Sequence, residues 1–289
     1  MTAGVGHDGP GLDTMRQRTL TAAIQEREPR RSVLAVEPIA PVEAFRRTAE
    51  DLDLLLRSLS AADWKCPALR NLDVQGLVGH LIGVEQHAHR CLSGSGDPDL
   101  ADADHVASTN QYAAEQRGRA PEATRHELRG GIARTLQLVR DLPNPELREV
   151  AIHGMRLPLP AFLVVRSFEL WTHANDIRVA IGRSVSPPDD ATLQLMTELA
   201  APMVAVGVRR TTGDVALPVR LVLTGPGGGV WDLGGDDSQP TTVRIVTDAV
   251  DFCRVVANRL APVELQMDVW GDRMLADTVL AGAASLALD

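Results

Sequence analysis

From Ala161 to Ile181 the chain carries one unbroken helical pattern whose inward stripe is not uniformly apolar. Pro160 stands at the start of this helix and Gly182 closes it, the usual asymmetry of helix ends. Glu169, His173 and Asp176 fall at spacings of four and three, so they share one face. Phe162 and Val165 precede them on that face and Ala180 follows. Two carboxylates and a histidine on a core-facing stripe are expensive to bury unless they are paired or hold a metal. Any fold for this chain must therefore bring partners to that stripe.

The rest of the N-terminal half supplies helices. Phe45, Ala49, Leu52, Leu56 and Leu59 recur at helical spacing after Pro41, and that helix ends near Ser60. Trp64 to Leu72 reads as a connector. Asp73 is a candidate N-cap for a helix from Val74 to about Cys91, ended by Ser93-Gly94. Its apolar face holds Leu77, His80, Leu81, Val84, Ala88 and Cys91, so His80 points inward. A polar stretch to Arg119 allows a short helix near Ser108 to Gln116. A third long helix runs from Pro121 to Asp141, with Gly130-Gly131 as a soft spot, and Pro143, Pro145, Pro158 and Pro160 punctuate the next connector. Four long helices joined by irregular loops predict a bundle, a frame that builds sites from facing helices.

The period changes after Ser184-Val-Ser-Pro-Pro188. Asp189 to Val208 reads as a helix. Strands are expected over Val215–Leu223, Val230–Leu233, Thr241–Val246 and Val263–Trp270. Helices are expected from Asp248 to about Leu260 and from Asp272 to Leu286. The predicted fold class is α+β: a flexible extension over residues 1–33 with a short helix around Met15 to Glu26, a four-helix bundle over 34–185, and a small α+β unit over 186–289.

Composition narrows the function. A net charge of −9 opposes nonspecific nucleic-acid binding. The longest apolar run, Leu199 to Val208, contains Pro202 and is too short to span a bilayer. Residues 1–29 lack the apolar centre of a secretory leader. Three widely spaced cysteines, Cys66, Cys91 and Cys253, suit a reducing cytoplasm better than a disulfide framework, and none forms a CxxC pair. Aromatic residues make up only 3%, so the core must be built from Leu, Val, Ile and Ala.

Glu169 and His173, at i and i+4, can hold one cation together. His80 from another helix would complete a two-histidine, one-carboxylate set suited to zinc or another first-row divalent ion, with open positions for water or a thiol. A metal-bound thiol is deprotonated at neutral pH. Asp176 would then orient a ligand histidine or face the substrate. The plainer alternatives are a satisfied or surface E-x3-H pair and a hydrogen-bonded core histidine at position 80. His87, seven residues on, is the weaker candidate for the same role. His89, His105, His126 and His153 read as solvated, and Trp64 and Trp171 as packing residues.

Trp64, the segment Leu72-Asp-Val-Gln-Gly-Leu-Val-Gly-His80-Leu81 and the segment Arg166-Ser-Phe-Glu169-Leu-Trp-Thr-His173-Ala-Asn-Asp176-Ile177 together resemble the mycothiol-dependent maleylpyruvate isomerase family. That family belongs to the DinB-like metal-dependent four-helix bundles of actinobacteria. The tail resembles its sterol-carrier-like C-terminal domain through Phe252-Cys-Arg-Val-Val-Ala-Asn-Arg259 and Val269-Trp-Gly271-Asp272. The resemblance covers roughly residues 35 to 289. It implies a divalent metal, usually zinc, held by His80, Glu169 and His173, and mycothiol as cofactor or cosubstrate. It also implies catalytic roles for Asp176 and Arg259, with Asn258 standing where the family usually carries glycine. The expected activity is a thiol-dependent isomerase or S-transferase acting on a small electrophilic organic substrate, with no nucleic-acid or membrane partner. The alternative is a binding or regulatory protein on the same fold, for example a carrier of a hydrophobic ligand.

Overall fold

A computed structural model describes residues 36–94, 105–152, 155–234 and 241–287; the helix expected between Met15 and Glu26 lies outside them. Helix α1 spans Pro41–Arg57, α2 Val74–Leu92, α3 His105–Glu115, α4 Pro121–Asp141 and α5 Leu159–Ala180. Their ends follow local chemistry. Pro occupies the first turn of α1, α4 and α5, where its missing N–H costs nothing. Asp73 caps α2 by accepting from the Gly76 amide at 2.7 Å. At the end of α5 the Gly182 and Arg183 amides return to the Val179 and Arg178 carbonyls, with Gly182 at φ 73°. Glycine takes that left-handed conformation without a Cβ penalty.

Helices α1, α2, α4 and α5 form the bundle, with α1 packed on α5 and α2 on α4. Phe45, Leu52, Leu77, Leu81, Phe162, Leu170 and Ile177 fill its core. Each large side chain buried this way contributes roughly 1.5–3 kcal/mol. The short helix α3 lies against the outer side of α2. Gly79 and Gly83 permit that approach: a Cβ on Gly79 would come within 2.8 Å of the Ala113 Cα. Helix α2 is buried on more than the face its sequence pattern marks, with Val78 and Ile82 in the bundle core and Glu85 against α4 and α5. The two segments read as connectors hold short antiparallel ribbons. Strands β1 (Pro67–Leu69) and β2 (Leu72–Asp73) make one, β3 (Glu149–Ile152) and β4 (Met155–Pro158) the other.

Beyond α5, helix α6 (Asp190–Thr212) opens an α+β unit. Strands β5 (Val219–Thr224), β6 (Gly229–Asp232), β7 (Val243–Asp248) and β8 (Met267–Trp270) form one sheet in the order β6-β5-β7-β8. Only β5 and β7 pair in parallel. Strand β5 starts at Val219, four residues later than the alternation predicts. Helices α7 (Ala249–Val256) and α8 (Arg273–Ala284) are capped by Asp248 and Asp272. Helix α6, at a mean hydropathy of 1.4, is long and apolar enough to cross a membrane by length and composition alone. More than half of that stretch is buried here, and Met196, Val204 and Val208 pack with the sheet residues Leu221 and Ile245 in one core. Val164 and Trp171 of α5 join the same core. Helix α5 thus serves two cores at once, which is why it has almost no polar face.

Candidate metal centre

His80 on α2 and Glu169 and His173 on α5 converge across the bundle. One ligand atom from each lies within 4.8 Å of the others. His80 Nε2 is 3.8 Å from Glu169 Oε1, and the two imidazoles meet edge to face with centroids 5.3 Å apart. His173 is 1% exposed and His80 8%. Among the described residues this is the group of histidine, cysteine and carboxylate side chains with metal-binding spacing.

Each imidazole is oriented by a hydrogen bond at its other nitrogen. His173 Nδ1 lies 2.9 Å from Asp176 Oδ2, and because a carboxylate can only accept, Nδ1 carries the proton. His80 Nδ1 lies 2.9 Å from the Thr109 hydroxyl on α3. Both rings therefore turn Nε2 toward the cluster, the arrangement that outer hydrogen bonds impose on ligand histidines. Two imidazoles and one carboxylate, largely buried and preoriented, fit a divalent first-row cation.

Asp176 has a second partner. Arg259, just beyond α7, donates from Nε to Oδ1 at 2.8 Å and from Nη2 to Oδ2 at 3.0 Å. Burial alone would raise the Asp176 carboxyl, but the hydrogen bonds from His173 and Arg259 outweigh it and hold it below the ordinary carboxylate range. The turn that aims Arg259 is legible in detail. The Asn258 amide returns to the Val255 carbonyl and the Arg259 amide to that of Arg254, with Asn258 at φ 54°. Asparagine tolerates the left-handed conformation better than most residues, so Asn258 performs the turn that a glycine would.

Behind Glu169 lies a charged network that the sequence reading missed. Arg166, fully buried, pairs with Glu169 Oε2 through Nη1 and with Glu85 Oε1 of α2 through Nη2, the latter at 2.5 Å. Burial pulls the guanidinium pKa down, yet the two carboxylates more than offset it and hold it above its usual value. Thr135 of α4 donates to Glu85 Oε2. His89 corrects an expectation: it is 6% exposed rather than solvated, with Nε2 3.0 Å from both the Gly131 carbonyl and the Thr135 hydroxyl. Burial lowers its pKa. The available signal was Arg166 itself, one helical turn before Glu169 on an apolar helix.

His87 stands apart from the cluster, with Nε2 3.5 Å from Cys91 Sγ. His126 is half exposed beside Glu122, as expected. The side chains of His105 and His153 lie outside the described ones. Trp64 and Trp171 are packing residues, and the Trp171 Nε1–H donates to the Ser186 carbonyl at 2.8 Å. Where the bundle meets the C-terminal unit, a cavity of about 160 Å³ is lined by Trp171, Asn175, Asp176, Val179, Arg254 and Arg259 among others.

Residues 45–178 match the family described as the Mycothiol maleylpyruvate isomerase N-terminal domain. Among solved structures, the chain is similar to the crystal structure of the mycothiol-dependent maleylpyruvate isomerase. The TM-score is 0.56 at 17% identity, covering 79% of this chain and 91% of that one. It is equally similar to a histidine-to-alanine mutant of that enzyme, with TM-score 0.55, the same 17% identity and the same coverage. At that identity the likeness concerns the fold. No curated protein sequence matches the chain.

Proposed function

We infer, for a chain whose helical half belongs to the mycothiol maleylpyruvate isomerase N-terminal domain family, a divalent-metal enzyme that uses a small thiol on a small electrophilic organic substrate. Zinc is the proposed metal and mycothiol the proposed thiol. The observation that carries this reading is the convergence of His80, Glu169 and His173 from two helices with both Nδ1 atoms already engaged.

A divalent cation on these three side chains would supply Lewis acidity, lowering the pKa of a bound thiol so that a thiolate exists at neutral pH. The chain's own residues do the rest. Asp176 keeps the His173 proton on Nδ1 and so fixes the ring. Arg259 keeps Asp176 ionised and adds a fixed cation at the seam between the two units. Arg254 and Arg259 outnumber the one lining carboxylate, Asp176, in the neighbouring cavity, which favours a substrate carrying a carboxylate. Trp171 and Val179 give that cavity apolar walls against which a short carbon chain can lie.

The test begins with elemental analysis of the purified protein and of the His80→Ala variant. The expected result is about one equivalent of zinc in the first and little in the second. Incubation with mycothiol and conjugated carboxylic acids, followed by mass spectrometry and NMR, then separates reaction types. Recovery of a geometric isomer with no thiol consumed marks an isomerase; a stable product carrying both masses marks a transferase. Zinc at full occupancy with no turnover across such a panel would move the assignment to a metal-binding protein without catalysis.

A further inference from the structure

Arg166 and Glu85 are fully buried and charged, and neither is among the three side chains with metal-binding spacing. A buried guanidinium and carboxylate are costly to keep and often replaceable by apolar residues at no loss of stability. Their placement accounts for the cost. Arg166 bridges two carboxylates from two helices, holding Oε2 of Glu169 with Nη1 and Oε1 of Glu85 with Nη2. Oε1 is therefore the Glu169 oxygen that faces His80 Nε2. Glu85 is in turn held at its other oxygen by Thr135. Helix α4 reaches that close to α2 because residue 131 is glycine: a Cβ there would sit 3.3 Å from the Glu85 Cβ.

We propose that Glu85 and Arg166 are positioning residues for cation capture, a reading that rests on the metal assignment above. Arg166 occupies one oxygen of Glu169, so Glu169 offers the cation a single oxygen and leaves more of the coordination shell for a thiol and a substrate. Glu85 neutralises the guanidinium, which would otherwise oppose a divalent ion one side chain away. Glu169 and Glu85 against Arg166 leave the dry pocket with a net negative charge. Without Glu85 that charge is gone.

Zinc affinity, measured by competition with a chromophoric chelator, and the visible spectrum of the cobalt(II)-loaded protein test this on the full chain with Glu85→Gln and Arg166→Lys. Glu85→Gln keeps the shape and one acceptor oxygen for Arg166, turns the Thr135 contact round because an amide nitrogen donates, removes the charge, and should weaken zinc binding by about 10-fold or more. Arg166→Lys keeps the charge but cannot bridge both carboxylates. Glu169 should then bind through two oxygens, and the cobalt absorption should weaken as the coordination number rises. A role in packing alone would lower the melting temperature of the metal-free variants and leave both readouts unmoved. Should Arg166→Lys not fold, the Glu85→Gln affinity decides by itself. Zinc affinities within about twofold of wild type, with an unchanged cobalt spectrum, overturn the proposal while the metal assignment stands. A wild-type chain that binds no zinc overturns the metal assignment, and this proposal with it.

Discussion

Arg259 grips both oxygens of Asp176, at 2.8 and 3.0 Å, from a position 83 residues further along the chain. Asp176 Oδ2 also accepts from His173 Nδ1. One carboxylate thus links a guanidinium of the C-terminal unit to a candidate metal ligand of the bundle. Bidentate arginine–carboxylate pairs are stronger and more directional than single charge contacts. The C-terminal unit is thereby tied to the candidate site rather than merely appended to the bundle.

Asp176→Asn should lower zinc affinity by about 10- to 100-fold, because the amide no longer enforces the His173 tautomer. Arg259→Met should cost less, since Asp176 keeps its bond to the ring. Chelator competition measures both. An Asp176→Asn affinity equal to wild type would show that His173 needs no such partner.

Asn258→Gly should leave stability and Arg259 in place, whereas Asn258→Val should destabilise the C-terminal unit by about 1–2 kcal/mol through its left-handed backbone. Chemical denaturation followed by circular dichroism reports the difference. If valine proves neutral, the turn does not depend on residue 258.

Gly79→Ala should cost about 1–3 kcal/mol, because the added methyl meets the Ala113 Cα and the Gln116 side chain at 2.8 Å. Pushing α3 away also moves Thr109 from His80, so zinc affinity should fall with stability. Unchanged affinity in a destabilised variant would separate Thr109 from the site.

Glu43 is held down to about 2 by hydrogen bonds from Arg46 and Arg47. A lowered carboxyl stabilises the fold above its unfolded value of 4.5 and loses that contribution as pH falls toward 2. The pairs are surface pairs, so Glu43→Gln should cost under about 1 kcal/mol at neutral pH. Melting curves of the two proteins should therefore differ at pH 6 and coincide near pH 2. A constant gap across that range contradicts the assignment.

Cys253 is fully buried, and desolvation pushes its thiol well above the ordinary range. Cys66 and Cys91 are partly exposed. A chromogenic disulfide reagent should titrate at most these two in the native protein and reach Cys253 only after denaturant is added. Rapid native reaction of all three would mean that the C-terminal core opens readily.

Much of the fold is written in local sequence. Helix α4 begins and ends where the pattern from Pro121 to Asp141 predicts, and Asp73, Asp248 and Asp272 cap the helices they precede. Caps and periodicity act over four residues or so, a range that a single sequence displays directly. The same range put Glu169, His173 and Asp176 on one helical face and turned His80 inward. The short ribbons β1–β2 and β3–β4 escaped because their strands run two to four residues, too few to show alternation.

What faces that stripe was settled only by packing. Helix α3, bedded against Gly79 and Gly83, brings Thr109 to His80; Gly131 lets α4 deliver Thr135 to Glu85 and its own carbonyl to His89. His89 lies on what looked like the outer side of α2, and only the approach of α4 buries it. The sequence by itself determined the helices, the class of fold and the residue types able to hold a cation. Tertiary structure alone decided that His80 meets Glu169 and His173, that Arg166 is spent between two carboxylates, and that Arg259 reaches Asp176. Apart from the Arg166–Glu169 pair within one helix, these contacts join residues far apart in the chain, and their energies exist only once the helices are packed at close range.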